Sequence, residues 1–105
     1  MTRRTIETPN VTFHALEEGA GPLVLCLHGF PDDARSWRHQ TKVLVAAGFR
    51  VVAPFMRGYG PTSQPADGRF DALALGEDVV ALLEALGEDA VVVGHDWGEI
   101  GRAHV

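Results

Sequence analysis

Gly94-His95-Asp96-Trp97-Gly98 combines a reactive side chain with the small residues needed to present it. Glycines stand two before and two after Asp96. A strand that turns sharply into a helix needs that spacing, because larger side chains there collide with neighbouring backbone. The residue at the apex is then thrust out at the carboxyl edge of a sheet, where ligands of open α/β sheets bind. The apex here is an acid rather than a serine, and that selects the chemistry. A serine alkoxide attacks carbonyl carbon and leaves an acyl-enzyme. A carboxylate attacking an acyl group would give an anhydride, a poor intermediate, whereas attack on saturated carbon gives an ordinary alkyl ester. Strained ethers and carbon–halogen bonds are the substrates that fit. Water must then hydrolyse the ester at the carbonyl of Asp96 itself, and the oxyanion formed needs two backbone N–H donors. The Trp97 amide is one. The other is expected from His28-Gly29-Phe30-Pro31, where Gly29 permits an unusual backbone and Pro31 stiffens the turn. The Phe30 amide is the natural second donor.

The elements that must position these groups can be read from periodicity. Ile6–Thr8 and Val11–Leu16 are strand candidates separated by a Pro9-Asn10 turn. Leu23–Leu27 is apolar throughout, which suits a strand buried on both faces. Ser36 is a plausible N-cap, after which Trp37, Thr41, Leu44 and Val45 share one helical face. Gly48 stops that helix. Arg50–Phe55 holds a second apolar strand, and Arg57–Arg69, with three glycines and two prolines, reads as a loop. Leu75, Val79, Leu82, Leu83 and Leu86 form a second stripe ended by Gly87, and Ala90–Val93 is a third buried strand leading into Asp96. The order β-β-β-α-β-α-β predicts an α/β fold with a mostly parallel, doubly wound sheet.

With these residues in place, the chain resembles the N-terminal part of an α/β-hydrolase of the epoxide hydrolase type. Three motifs carry the resemblance in order: HGFP (His28–Pro31), RGYGPTS (Arg57–Ser63) and GHDWG (Gly94–Gly98). It extends from about Val11 to Gly98. It implies Asp96 as nucleophile, the Phe30 and Trp97 amides as oxyanion hole, a cis peptide before Pro31, and His28, Gly29, Pro31, Gly94 and Gly98 as structural residues of the site. The implied activity is opening of epoxides to vicinal diols, with water as co-substrate and no metal or organic cofactor. The runner-up is a haloalkane or haloacid dehalogenase, which shares the Asp nucleophile; Phe30 offers no side-chain donor, and this favours the epoxide. A third reading is an inactive binding module for a small apolar ligand. Phe55 stands where the family commonly has Asp, which leaves the hydrogen bonding of the RGYG loop open. The resemblance also implies a general-base His, its acidic partner and a helical lid downstream of this chain. The 105 residues alone are therefore expected to be inactive and poorly stable, with an unprotected sheet edge.

Residues 1–98 are expected to be one truncated core domain. The last seven, Glu99-Ile100-Gly101-Arg102-Ala103-His104-Val105, are expected to be non-native. One back-translation, GAG ATC GGA AGA GCA CAC GTC, reads after its first base as a common sequencing adapter. His104 is accordingly not assigned as a base.

Composition narrows the remaining classes. Nine Lys and Arg against 14 Asp and Glu give a net charge of −5, so no nucleic-acid or anionic-membrane partner is expected. One cysteine excludes an internal disulfide framework and a Cys-rich zinc site. No apolar run approaches the roughly 20 residues of a membrane helix, and the amino terminus lacks the apolar stretch of a signal peptide. A cytoplasmic location is expected; the oligomeric state is left open. Several residues have plainer readings. His14 and His39 lack metal-like spacing, and His95 reads as a packed residue. Cys26 reads as inert core, Tyr59 as part of a structural loop, and Arg57 as a brace for it. Trp37 fits either core or a pocket border, and Asp32-Asp33 suit a helix amino terminus.

Overall fold

The computed structural model describes residues 2–28, 34–64, 66–68, 72–94 and 101–103. Six strands form one sheet in the order β1-β2-β4-β3-β5-β6. They are β1 (Thr2–Glu7), β2 (Thr12–Glu18), β3 (Leu23–Leu27), β4 (Arg50–Pro54), β5 (Ala90–Gly94) and β6 (Gly101–Ala103). The central trio β4-β3-β5 is parallel, while β1 and β2 join antiparallel at one side and β6 at the other.

β3 is apolar and buried at every position, and β4 is so after Arg50, because helices cover both faces. Successive side chains of a strand point to opposite sides. Leu23, Leu25 and Leu27 of β3 join Val52, Ala90 and Val92 under α2 (Ala72–Leu86), which contributes Leu82 and Leu83. Val24 and Cys26 point the other way. With Val51, Ala53 and Phe55 they pack beneath α1 (Arg38–Ala46) and the 3-10 turn Ala34–Trp37 that leads into it. The two helices thus lie on opposite faces, as a doubly wound sheet requires. Full burial of one such aliphatic side chain contributes about 1.5–3 kcal/mol.

Both helices end where the glycines stand: Gly48 and Gly87 have φ of 97° and 74°, a left-handed conformation that other residues adopt at a cost. The start of α1 differs from the sequence expectation. Ser36 lies inside the 3-10 turn, and the cap position is Trp37, whose carbonyl accepts a 2.7 Å hydrogen bond from the Thr41 hydroxyl. The extra turn moves the helix start one residue on while leaving Trp37 and Thr41 buried and Leu44 and Val45 packed against the same core.

Two strands exceed or escape the sequence reading. β1 begins at Thr2 rather than Ile6, since an edge strand with only Ile6 buried carries almost no apolar pattern. β6 was not expected. It occupies the outer edge of β5, with Ala90, Val91 and Val92 opposite Ala103, Arg102 and Gly101. The free N–H and C=O groups of an edge strand accept any extended segment within reach. The open edge expected beside β5 is therefore paired over these three residues.

Candidate active site

β3 lies between β4 and β5, so the chain leaves β3 toward one neighbour and later crosses to the other. The carboxyl ends of all three strands consequently meet at one edge of the sheet. Leu27 at the end of β3 is registered opposite Gly94 at the end of β5. The HGFP and GHDWG motifs therefore start on adjacent strands, roughly 5 Å apart. The RGYGPTS motif follows β4 on the other side of β3. Three segments far apart in sequence are brought to one place by strand order alone.

Of the residues expected to form the site, His28 and Gly94 are described. Gly29, Phe30, Pro31, Asp96, Trp97 and Gly98 lie outside the described residues, as do Asp32, Asp33 and His95. The cis peptide expected before Pro31 lies there too; the one found among the described residues joins Gly60 and Pro61.

His28 is 2% exposed, and its Nε2 accepts a 2.9 Å hydrogen bond from the Met56 amide. Its ring meets Tyr59 edge to face, with centroids 4.6 Å apart. His28 thus ties the end of β3 to the segment after β4, and Tyr59 packs against it from that segment.

The RGYG loop takes its hydrogen bonds from Thr62, Ser63 and Arg57. The Thr62 hydroxyl donates to the Phe55 carbonyl at 2.6 Å and accepts from the His14 amide at 3.1 Å. Ser63 accepts from the Thr12 amide through its hydroxyl, and its own amide donates to the Thr12 carbonyl. Both residues stitch the loop to β2. Phe55 itself packs in the core beneath α1, and its amide donates to the His14 carbonyl.

Arg57 is the strongest electrostatic feature. Its side chain is 1% exposed. Nε and Nη2 donate to the two carboxylate oxygens of Asp78 on α2, at 2.7 and 2.8 Å. Nη1 donates to Asp67 at 2.8 Å, with a longer 3.4 Å contact from Nη2. The Asp78 hydrogen bonds above all, then those of Asp67, raise the guanidinium pKa above its ordinary value against the opposing effect of burial. The fork of donors suits two carboxylates from different directions. Sequence reading found the brace but not its partners. A signal was there: Asp78 falls three residues after Leu75 and four before Leu82, on the apolar stripe of α2, where a carboxylate demands a partner.

Trp37 belongs to the core beneath α1. It is 8% exposed, its indole N–H is buried without an acceptor, and it lines a groove of about 360 Å3 with Cys26, His39, Gln40, Val43, Leu44 and Val93. Cys26 is fully buried, which pushes its thiol pKa up to about 12. Among the described residues no group of three or more His, Cys, Asp or Glu side chains is placed to hold a metal ion, and no helix is long and apolar enough to cross a membrane.

Comparison with known proteins agrees with this architecture. A family model for the alpha/beta hydrolase fold matches residues 22–98. The chain is 48% identical over 95 residues to an epoxide hydrolase of Caballeronia sordidicola, covering 89% of this chain and 29% of that protein. It is 46% identical over 103 residues to epoxide hydrolase A of Mycobacterium tuberculosis, covering 94% and 32%. Among solved structures, an epoxide hydrolase from an endophytic Streptomyces superposes with a TM-score of 0.84 at 48% identity, over 92% of this chain and 30% of that one. The chain therefore spans about a third of the length of the relatives it matches.

Proposed function

The chain belongs to the alpha/beta hydrolase fold family, and from that premise we propose that the whole protein opens epoxides to vicinal diols through an ester formed on Asp96. The observation that carries this is the Leu27–Gly94 register, which starts the HGFP and GHDWG motifs side by side at the carboxyl edge. The epoxide hydrolases at 46–48% identity support the same substrate class.

In the first step a carboxylate oxygen of Asp96 attacks a ring carbon of the epoxide. That carbon–oxygen bond breaks, and the oxygen that leaves takes up a proton. In the second step water adds to the carbonyl carbon of the ester. The Phe30 and Trp97 amides hold the oxyanion; its collapse expels the second diol oxygen, which takes one of the water's protons, while the other replaces the proton spent in the first step and the carboxylate is restored with one oxygen from water. Preorganised donors of this kind are worth about 10²–10³ in rate each. The substrate is a small apolar epoxide, and water is the co-substrate.

The test is a single turnover of the intact protein in ¹⁸O-water, with enzyme in excess over an aryl epoxide such as styrene oxide. Mass spectrometry of the peptide containing Asp96 should show one heavy oxygen in that carboxylate, and Asp96→Ala should abolish turnover. Diol formation without labelling of Asp96 would exclude the ester. Halide release from a haloalkane, with no action on epoxides, would favour the dehalogenase.

A further inference from the structure

His28 is held in one protonation form by the segment that follows β4. A ring nitrogen accepts a hydrogen bond only when it carries no proton, so the Met56 amide bonded to Nε2 selects the neutral imidazole with its proton on Nδ1. The bond holds only while the Met56 amide stays within hydrogen-bond reach of Nε2. Met56 has no polar side chain to anchor it. Among the described residues its neighbour Arg57 is anchored by Asp78 on α2 and by Asp67 in the turn at residues 66–68. The loop beyond is bonded to β2 through Thr62 and Ser63. Arg57 thus stands between a rigid helix and the amide that reads the His28 ring.

We propose that Arg57 is a positioning residue for the reaction: its two-carboxylate clamp fixes the Met56 amide, which sets the seat and tautomer of His28, the first residue of the His28–Pro31 motif. This rests on the functional reading above, in which Phe30, two residues on from His28, supplies an oxyanion donor. The guanidinium shape is required. Its planar fork serves both oxygens of Asp78 while its remaining nitrogen serves Asp67. A lysine ammonium keeps the charge but cannot make the paired bonds in that plane.

The experiment uses the intact protein and compares Arg57→Lys and Asp67→Asn with wild type. Arg50→Gln is the control. Arg50 bridges Glu17 and Glu88 at the other end of β4, so its loss perturbs stability without touching the clamp. The first readout is the imidazole ¹⁵N spectrum of protein labelled at histidine, with the His28 signals assigned by their loss in His28→Gln. Wild type and Arg50→Gln should show a single Nδ1–H tautomer. Arg57→Lys should show a second tautomer or the imidazolium, and Asp67→Asn, which leaves the Asp78 pair intact and should fold, a smaller admixture. The second readout is epoxide turnover. Arg57→Lys should lose about 10- to 100-fold in kcat with KM within about two-fold, as displacement of a preorganised donor predicts, while Arg50→Gln keeps both constants. A His28 tautomer unchanged in both clamp variants overturns the proposal, as does a folded Arg57→Lys with wild-type kcat. If wild type acts on no epoxide, the functional reading fails while the tautomer measurement still decides whether Arg57 positions His28.

Discussion

Removing one carboxylate from the Arg57 clamp should be among the costliest single changes in the protein. In Asp78→Asn the side chain keeps its shape, but its charge is gone and its amide NH₂ faces a guanidinium N–H, donor against donor. Two hydrogen bonds of 2.7 and 2.8 Å are compromised at once. Breaking a buried ion pair from one side costs about 3–5 kcal/mol, because the surviving charge stays buried without its counter-ion. Asp67 remains at 2.8 Å with a side chain 19% exposed, so water and one carboxylate still reach Arg57. The expected cost therefore lies at the lower end, about 3 kcal/mol. Glu17→Gln, at a partly exposed pair, should cost about 0–1 kcal/mol. The assay is urea denaturation of both variants and of the double variant Arg57→Met/Asp78→Leu, monitored by tryptophan fluorescence. Replacing both partners with apolar groups should return most of the loss. High salt should shrink the Glu17 effect and leave the Asp78 effect, since buried pairs are poorly screened. A cost below about 1 kcal/mol for Asp78→Asn, or no recovery in the double variant, would refute the view that the buried charge balance holds this loop.

Thr62→Val removes a hydroxyl that both donates and accepts, and strands the His14 amide; it should lower stability by about 2 kcal/mol in the same denaturation assay. Partial burial raises the Glu17 carboxyl pKa, but the hydrogen bond and charge of Arg50, then those of Arg4, outweigh it and leave it below the usual carboxylate range. Its folded value being depressed, its stabilisation is present above the unfolded carboxylate value of about 4.3 and disappears as pH falls through the folded one. The stability difference between wild type and Glu17→Gln should accordingly start to shrink in acid titrations below about pH 4.3 and be gone once the pH is under the depressed folded value. The Cys26 thiol, raised to about 12 by burial, should resist iodoacetamide at pH 8 until urea unfolds the protein. Because its folded value exceeds the unfolded one, its contribution should be intact below about pH 8.5 and fall away as pH climbs toward 12.

What the sequence made legible follows from which forces are local. The bounds of β3 could be read to the residue because a strand packed on both faces leaves no polar position inside it. The stops at Gly48 and Gly87 were equally legible, since one residue type adopts the needed backbone cheaply. β1 was not, because an edge strand with one solvated face spends its sequence on Thr and Arg, and its existence depends on β2 being there to pair with. The start of α1 was displaced because a 3-10 turn satisfies the same buried face with different spacing. The site divides in the same way.

The motif starts could be placed together from topology alone, since strand order follows from βαβ connections. The polar network between them could not. His28 and Met56 are 28 residues apart, and Arg57 and Asp78 are 21 apart. Periodicity says which face of α2 is apolar and so marks Asp78 as an acid in the wrong company. It does not say which of the nine cations answers it. Burial makes that choice: Arg4 and Arg50 lie at the partly exposed rim with Glu17, and only a cation rooted beside the core, at the carboxyl end of a central strand, can meet a carboxylate on the inward face of a helix. Position 57 satisfies that condition because β4 ends at Pro54, Phe55 and Met56 continue buried past its carboxyl end, and Arg57 comes next. The same register that carries Arg57 to Asp78 carries the Met56 amide to His28, so the buried charge and the seat of the HGFP motif are two consequences of where one strand ends.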